Sequence, residues 1–392
     1  MKKYLLFAVC HLLFVSNAIA FDTKAKSAFL VDYDSGAELF AKNADELMPP
    51  SSMVKLMTLA VLFDAIQAGD LTMDDTMPVS ANADYQNPTW YPASKICLSR
   101  GQNLRVSDAV MGLIVQSAGD AGVVVAEKLA GSESAFTVKM QQKARDIGMP
   151  LSTFGNASGL PNSNNLMTSR ELATLGMHIV SRYPDMYPLF STRRFEFGDY
   201  KTDWCREWGR THTLNYNKLL FVMPGADGLK TGHTDEGGYG MVASSRVAGR
   251  RLVAVINGFK GKNHTALAEE AKKLLNHGFA TTVNRVFYNA GDKIAEIPVW
   301  YGRQKIVIAT VEKTFAITLK KNQAAAGLRV LARYDEPVAA PIKKGQKIGE
   351  IFAELNGKTI ARAPLVAAAR VNKTQFFGRV FKNIQVIFGD RK

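Results

Sequence analysis

A chain of 392 residues with 47% hydrophobic content is long enough for two or three domains and too apolar to be disordered. Its formal charge of +14 suggests nucleic acid, but no helix-turn-helix or zinc-finger spacing occurs and the N-terminus reads as an export signal. The partners left for a basic exported protein are anionic lipid headgroups or a polymer bearing carboxylates.

Residues 1–20 read as that signal. Lys2 and Lys3 precede a largely apolar stretch from Tyr4 to Val15, and Ala18-Ile19-Ala20 offers small residues for cleavage. The apolar run is too short to span a bilayer. The competing reading, a lipoprotein signal ending at Cys10, meets Val9 where a small residue is wanted. Without its two signal lysines the mature chain carries +12. Cys97 and Cys205 remain, and one disulfide or two free thiols are equally open. Neither has neighbours at metal-ligand spacing, and no metal or organic cofactor is implied.

Residues 26–41 alternate apolar and polar around Asp34-Ser35-Gly36, a hairpin pattern. Ser52 to Gln67 is helical in period, with Gly69 as its stop. A helix-rich middle follows over 105–182: Ser107-Asp108 starts one helix, Ser132 caps another, and Gly148-Met149-Pro150 ends it. Strand patterns return at Leu229 to Thr231, Tyr239 to Ser245 and Arg251 to Asn257, with the turn Val247-Ala248-Gly249 joining the last two. A helix over 264–279 completes an α+β domain, an antiparallel sheet with helices packed on it. Beyond Gly291, short apolar runs separated by Pro337, Pro341, Gly345, Gly349 and Asn356-Gly357 predict a small all-β domain. The expected division is 1–20 signal, 21–285 α+β domain, 286–372 β domain and 373–392 amphipathic helix.

Ser52-Met53-Val54-Lys55 is an S-x-x-K at a helix start. Three residues make nearly one turn, so the hydroxyl and the amine share a face. A serine needs a base to become a nucleophile, and a lysine serves if burial lowers its pKa. Alone the motif is weak, since two fixed residues recur by chance roughly once in such a chain. Lys230-Thr231-Gly232 is the second element: Lys and Thr on an edge strand can grip a terminal carboxylate, and Gly admits a substrate backbone. The third is Ser117, between two helical patterns, where a hydroxyl can relay a proton from Lys55 to a leaving group. Taken singly each has an ordinary structural reading, as cap, strand end or helix joint. Their order along the chain makes the case.

That ordered set is the signature of penicillin-binding proteins and serine β-lactamases. With its flanks Pro49-Pro50-Ser51 and Leu56-Met57-Thr58, the first motif resembles the low-molecular-mass, type-5 serine D-alanyl-D-alanine carboxypeptidases. So do Asp227 through Thr234, Ser158-Gly159-Leu160-Pro161, Thr168 through Leu172, and Phe376 through Val380. His233 after K-T-G is typical of the group. The resemblance spans the mature chain and implies a penicillin-binding, β-lactamase-like fold. The implied activity is removal of the terminal D-Ala from peptidoglycan stem peptides ending in D-Ala-D-Ala. Ser52, Lys55 and Ser117 are then catalytic, Lys230, Thr231, Gly232 and His233 bind substrate, and β-lactams acylate Ser52. The rivals are a β-lactamase, for which no deacylating Glu is identified, and a non-catalytic wall-binding homologue.

Two departures stand out. The family's S-x-N has Gly119 at its third position, so an Asn placed at 119 is expected to restore an amide and raise acylation. Where the family often reads Asn-Arg-Asn, this chain has Asn215-Tyr216-Asn217, and Arg210 or Lys218 would have to replace a carboxylate-binding Arg. In the tail, Phe376, Phe377, Val380, Phe381, Ile384, Ile387 and Phe388 fall within a helical arc of roughly 140°. The expectation is a helix lying on an anionic membrane surface, holding a periplasmic enzyme at the outer face of the inner membrane.

Overall fold

The computed structural model describes residues 21–91, 93–322 and 327–374. The signal at 1–20 and all but the first two residues of the expected 373–392 helix lie outside the described residues.

The predicted hairpin forms strands Ser27–Asp32 and Glu38–Lys42. These join the C-terminal strands of the domain in a five-stranded antiparallel sheet. From one edge to the other the order is 38–42, 27–32, 250–259, 238–247 and 226–234, so the K-T-G strand is an edge strand. Its strand is longer than the apolar run suggested, Ala226–Thr234, and Lys230-Thr231-Gly232 sits in its interior.

The sheet is covered on both faces, which explains why its central strand is continuously apolar from Leu252 to Ile256. Leu252, Ala254 and Ile256 pack with Leu267, Ala271 and Leu274 of the helix His264–Thr281. Val253 and Val255, pointing the other way, join the core of the helix-rich region with Leu56, Leu59, Phe63 and Leu172. The helix Lys55–Ala68 runs through that second core and ends at Gly69 in the left-handed conformation, φ 82°. Ser132 caps the helix Glu133–Asp146 by accepting from the Ala135 N–H at 3.2 Å.

Cys97 and Cys205 form a disulfide, Cα–Cα 5.5 Å, tying the segment ahead of Ser117 to the surface helix Asp203–Thr211. The β region begins at Thr282, immediately after the helix, ahead of the expected boundary at 286. Its first strand, Thr282–Tyr288, pairs with Phe315–Lys320, beside a six-stranded sheet. This region has its own core, around Ile297, Val307, Ile342, Ile351 and Leu365. At its far end Lys373 bridges to Gly302 and the Thr374 N–H donates to the Tyr301 carbonyl. Strand-like pairing therefore runs two residues past the expected boundary before 373.

Candidate active site

A cleft of about 500 Å³ opens between the K-T-G edge strand and the helix-rich region. Ser52, Lys55, Ser117, Thr231, Gly232 and His233 all line it. Lys230, the remaining residue expected at the site, lies behind Thr231, 1% exposed.

The nucleophile segment is a 3₁₀ turn, Ser51–Val54, rather than a regular α-helical start. At three residues per turn, positions i and i+3 eclipse, so Lys55 stands directly over Ser52. Lys55 Nζ lies 2.8 Å from Ser52 Oγ and also donates to the Ser158 carbonyl. The lysine is 2% exposed. Burial brings its pKa down to about 7, against the opposing pull of Asp120 and Glu133. A serine with a near-neutral amine in hydrogen-bond contact is a nucleophile with its base in place.

The edge strand reaches the nucleophile because Gly232 has no side chain. A Cβ there would lie 2.8 Å from the Pro50 carbonyl oxygen and 3.1 Å from the Ser52 nitrogen. Lys230 Nζ donates to the Thr231 carbonyl at 3.0 Å. Burial, and then the charge on Lys55, hold its pKa well below the usual lysine range. An incoming carboxylate would reverse that balance by supplying the missing countercharge. The His233 ring stacks on Tyr239, centroids 4.0 Å apart.

Ser117 ends a π-helical turn, Gly112–Gln116, in the left-handed region at φ 57°. Its buried Oγ has no hydrogen-bond partner. Such strain and an unmade hydrogen bond are both costly, and both fall at a residue that lines the cleft. Asp120, fully buried, anchors the facing segment by accepting from the backbone N–H groups of Ile96, Leu98 and Ala121. Burial raises its carboxyl to about 6 in spite of these bonds.

The structure argues against the expectation for Gly119. A Cβ at 119 would sit 2.6 Å from Trp90 Cζ3 and 3.5 Å from Ser158 Cβ. Trp90 is itself 1% exposed, with its indole N–H donating to the Asn82 carbonyl. The room that an asparagine would need is filled by indole, so the site is built around glycine. The proposed replacements for the absent arginine are elsewhere. Arg210 is exposed and paired with Glu207, and Lys218 lies over the Phe221 ring, 5.4 Å from its centroid. Neither lines the cleft. Tyr216 does.

Trp90, Ser94 and His264 had no signal in the sequence that singled them out as site residues, because the fold brings them in from loops and a distant helix; Asp120, beside Gly119, had none because its partners are backbone N–H groups at 96 and 98. Among the described residues, Asp235 is the sole carboxylate lining the cleft.

Residues 14–261 match the family of D-alanyl-D-alanine carboxypeptidases, peptidase S11, and 284–373 match the C-terminal domain of penicillin-binding protein 5. D-alanyl-D-alanine carboxypeptidase DacA of Escherichia coli K12 is 31% identical over 367 residues, 93% of this chain and 88% of that protein. DacF of Bacillus subtilis is 28% identical, over 90% of this chain and 87% of its own. The crystal structure of penicillin-binding protein 5 from Haemophilus influenzae, 31% identical, superposes with a TM-score of 0.77 over 90% of this chain and 98% of its own. Fold, cleft and sequence agree: the chain belongs to the serine D-alanyl-D-alanine carboxypeptidase family, with its penicillin-binding catalytic fold and C-terminal β domain.

Proposed function

We propose that this chain removes the terminal D-Ala from peptidoglycan stem peptides through an acyl-Ser52 intermediate. The observation that carries the reading is the 2.8 Å contact between Ser52 Oγ and the buried Lys55 amine, in a cleft walled by the K-T-G strand. Lys55 takes the proton as Ser52 Oγ attacks the penultimate D-Ala carbonyl. The backbone N–H groups of Ser52 and His233 receive the oxyanion. Thr231 holds the terminal carboxylate with the Lys230 amine behind it as countercharge, and Gly232 lets the peptide backbone lie against the strand. Ser117 passes a proton to the amine of the departing D-Ala. Water then hydrolyses the acyl ester and regenerates the Ser52 hydroxyl. β-Lactams acylate the same oxygen. The test is to incubate the protein with a fluorescent penicillin and with diacetyl-Lys-D-Ala-D-Ala. Label on Ser52 and free D-Ala are expected; absence of both refutes the reading.

The same reading includes location: a periplasmic protein held to the outer face of the inner membrane by its tail. The signal pattern at 1–20 supports export, and the Cys97–Cys205 disulfide suits an oxidising compartment. The amphipathic pattern beyond Thr374 supports an anchor on anionic lipid. Removing residues 375–392 should abolish binding to phosphatidylglycerol vesicles while leaving turnover of the small peptide intact. Undiminished vesicle binding would rule out the tail as anchor.

A further inference from the structure

Among the described residues that line the cleft, two have a buried polar side-chain atom with no partner: Ser117 Oγ and His264 Nδ1. The first is accounted for by proton relay. The second belongs to no step above. An unpaired buried nitrogen is costly, and in a substrate cleft it marks a group whose partner arrives with the ligand.

His264 is the first residue of the helix His264–Thr281, capped by Asn263, whose side chain accepts from the Ala266 N–H at 2.9 Å. Its ring is held from two sides. Tyr216 lies tilted against it with centroids 5.2 Å apart, and Tyr239 meets it edge-on at 5.2 Å. Tyr239 in turn stacks on His233, which follows Gly232 on the K-T-G strand. The imidazole is thereby fixed at the end of the cleft where the K-T-G strand runs, beside the position where the family pattern carries an arginine and this chain has Tyr216.

Three cationic groups bear on the ring, and among the described residues Asp235 is the one carboxylate that lines the cleft. Burial, then the charges of Lys230, His233 and Lys218, bring the His264 pKa down to about 4. The empty site resists one more positive charge, and the helix N-terminus adds to the positive potential. These are the conditions in which an anion is bound tightly, because it relieves every one of those repulsions together. The only anion that the carboxypeptidase reaction brings to the K-T-G end of the cleft is the substrate's own terminal carboxylate.

We propose that His264 is a specificity-determining residue that receives the terminal carboxylate alongside Lys230 and Thr231, in place of an arginine. This rests on the carboxypeptidase reading and assigns its carboxylate subsite. The ring nitrogen donates to one carboxylate oxygen, while Tyr216 and Tyr239 keep the imidazole plane in position.

Full-length H264A and H264Q are compared with wild type on diacetyl-Lys-D-Ala-D-Ala and on the same peptide ending in a carboxamide. In H264A, kcat/KM for the acid should fall about tenfold to a hundredfold, the range for a hydrogen bond to a charged group, with the amide unaffected. The preference for acid over amide then shrinks by the same factor. H264Q, which keeps an N–H donor but cannot become cationic, should fall between. Equal losses on both peptides, or an unchanged preference, would overturn the proposal. Titration of Ser52 with fluorescent penicillin counts competent sites, so that if H264A does not fold the decision falls to H264Q, and an unchanged preference there overturns the proposal. A wild type that neither labels nor releases D-Ala refutes the carboxypeptidase reading, and the subsite with it, and is distinguished from failure of the subsite alone.

Discussion

The cleft and the C-terminal β domain treat polar groups in opposite ways. Around the cleft, Lys55, Lys230, Asp120 and Ser117 are buried, and Ser51, Cys97 and Ser117 sit at positive φ. In the β domain the buried polar side chains among the described residues are only Thr282 and Thr310. Its strands alternate instead, as in Ile306–Thr310, where Val307 and Ala309 face the core and Ile306 and Ile308 are exposed. One region accepts desolvated charge because its chemistry needs it, whereas positive φ occurs in both, at Tyr301 and Asn356 of the β domain as well. The other follows the ordinary rules of a stable sheet, as a support requires. The two meet through a few polar contacts, including Ser35 Oγ to Thr318 Oγ1 at 2.7 Å and Arg250 to the Thr282 carbonyl at 2.8 Å. These lie across the hairpin end of the sheet rather than at the cleft.

If that division is right, substitutions should affect turnover or stability according to region. The largest effect belongs to Ser52→Ala. Penicillin labelling and D-Ala release should both vanish, a loss of at least about 10⁴-fold, with the thermal unfolding midpoint little changed. Covalent labelling of the Ala variant would mean the nucleophile is elsewhere.

Lys55→Arg comes next, with about 10²–10⁴-fold lost, because arginine stays protonated and cannot serve as a base. The wild-type pH profile carries the same information. The neutral amine is the competent form of Lys55. Acylation should therefore climb as pH rises through about 7 and level off above it, and decline as the amine is protonated below. A profile flat between pH 5.5 and 8.5 would remove Lys55 from the role of base.

Gly119→Asn should lower penicillin acylation about tenfold, and destabilise the fold by about 1–3 kcal/mol, through overpacking against Trp90. Combining it with Trp90→Ala should recover part of the loss. An increase in acylation by Gly119→Asn alone would show that Trp90 yields easily and that the amide was simply missing.

The smallest effect on chemistry, and a large one on stability, is expected in the β domain. Ile297→Ala, at a fully buried position, should cost that domain roughly 2–5 kcal/mol. Its kcat/KM on the small peptide should stay within about twofold of wild type, since the site is untouched. A larger drop would show that the β domain shapes the cleft.

The sequence determined the outline of this protein. Local signals are strong where period, caps and turns agree: the hairpin around Ser35-Gly36, the helix stopped by Gly69, the cap at Ser132 and the strands joined at Ala248-Gly249. The ordered triplet of Ser52-x-x-Lys55, Ser117 and Lys230-Thr231-Gly232 was legible because its chemistry needs fixed residue types at short spacings. Tertiary structure decided the rest, since it depends on separations no local pattern encodes. Sequence left Cys97 and Cys205 undecided, and they became a pair only when folding brought them to 5.5 Å between Cα atoms. Gly119 read as the loss of an amide until Trp90 was found in the space where the amide would have been. His264 carried no motif, and it entered the cleft because the helix that follows the last sheet strand starts beside Tyr216 and Tyr239. The pKa of Lys55 likewise comes from burial beneath residues as distant as Ser158, and burial is a property of the packed chain rather than of any stretch within it.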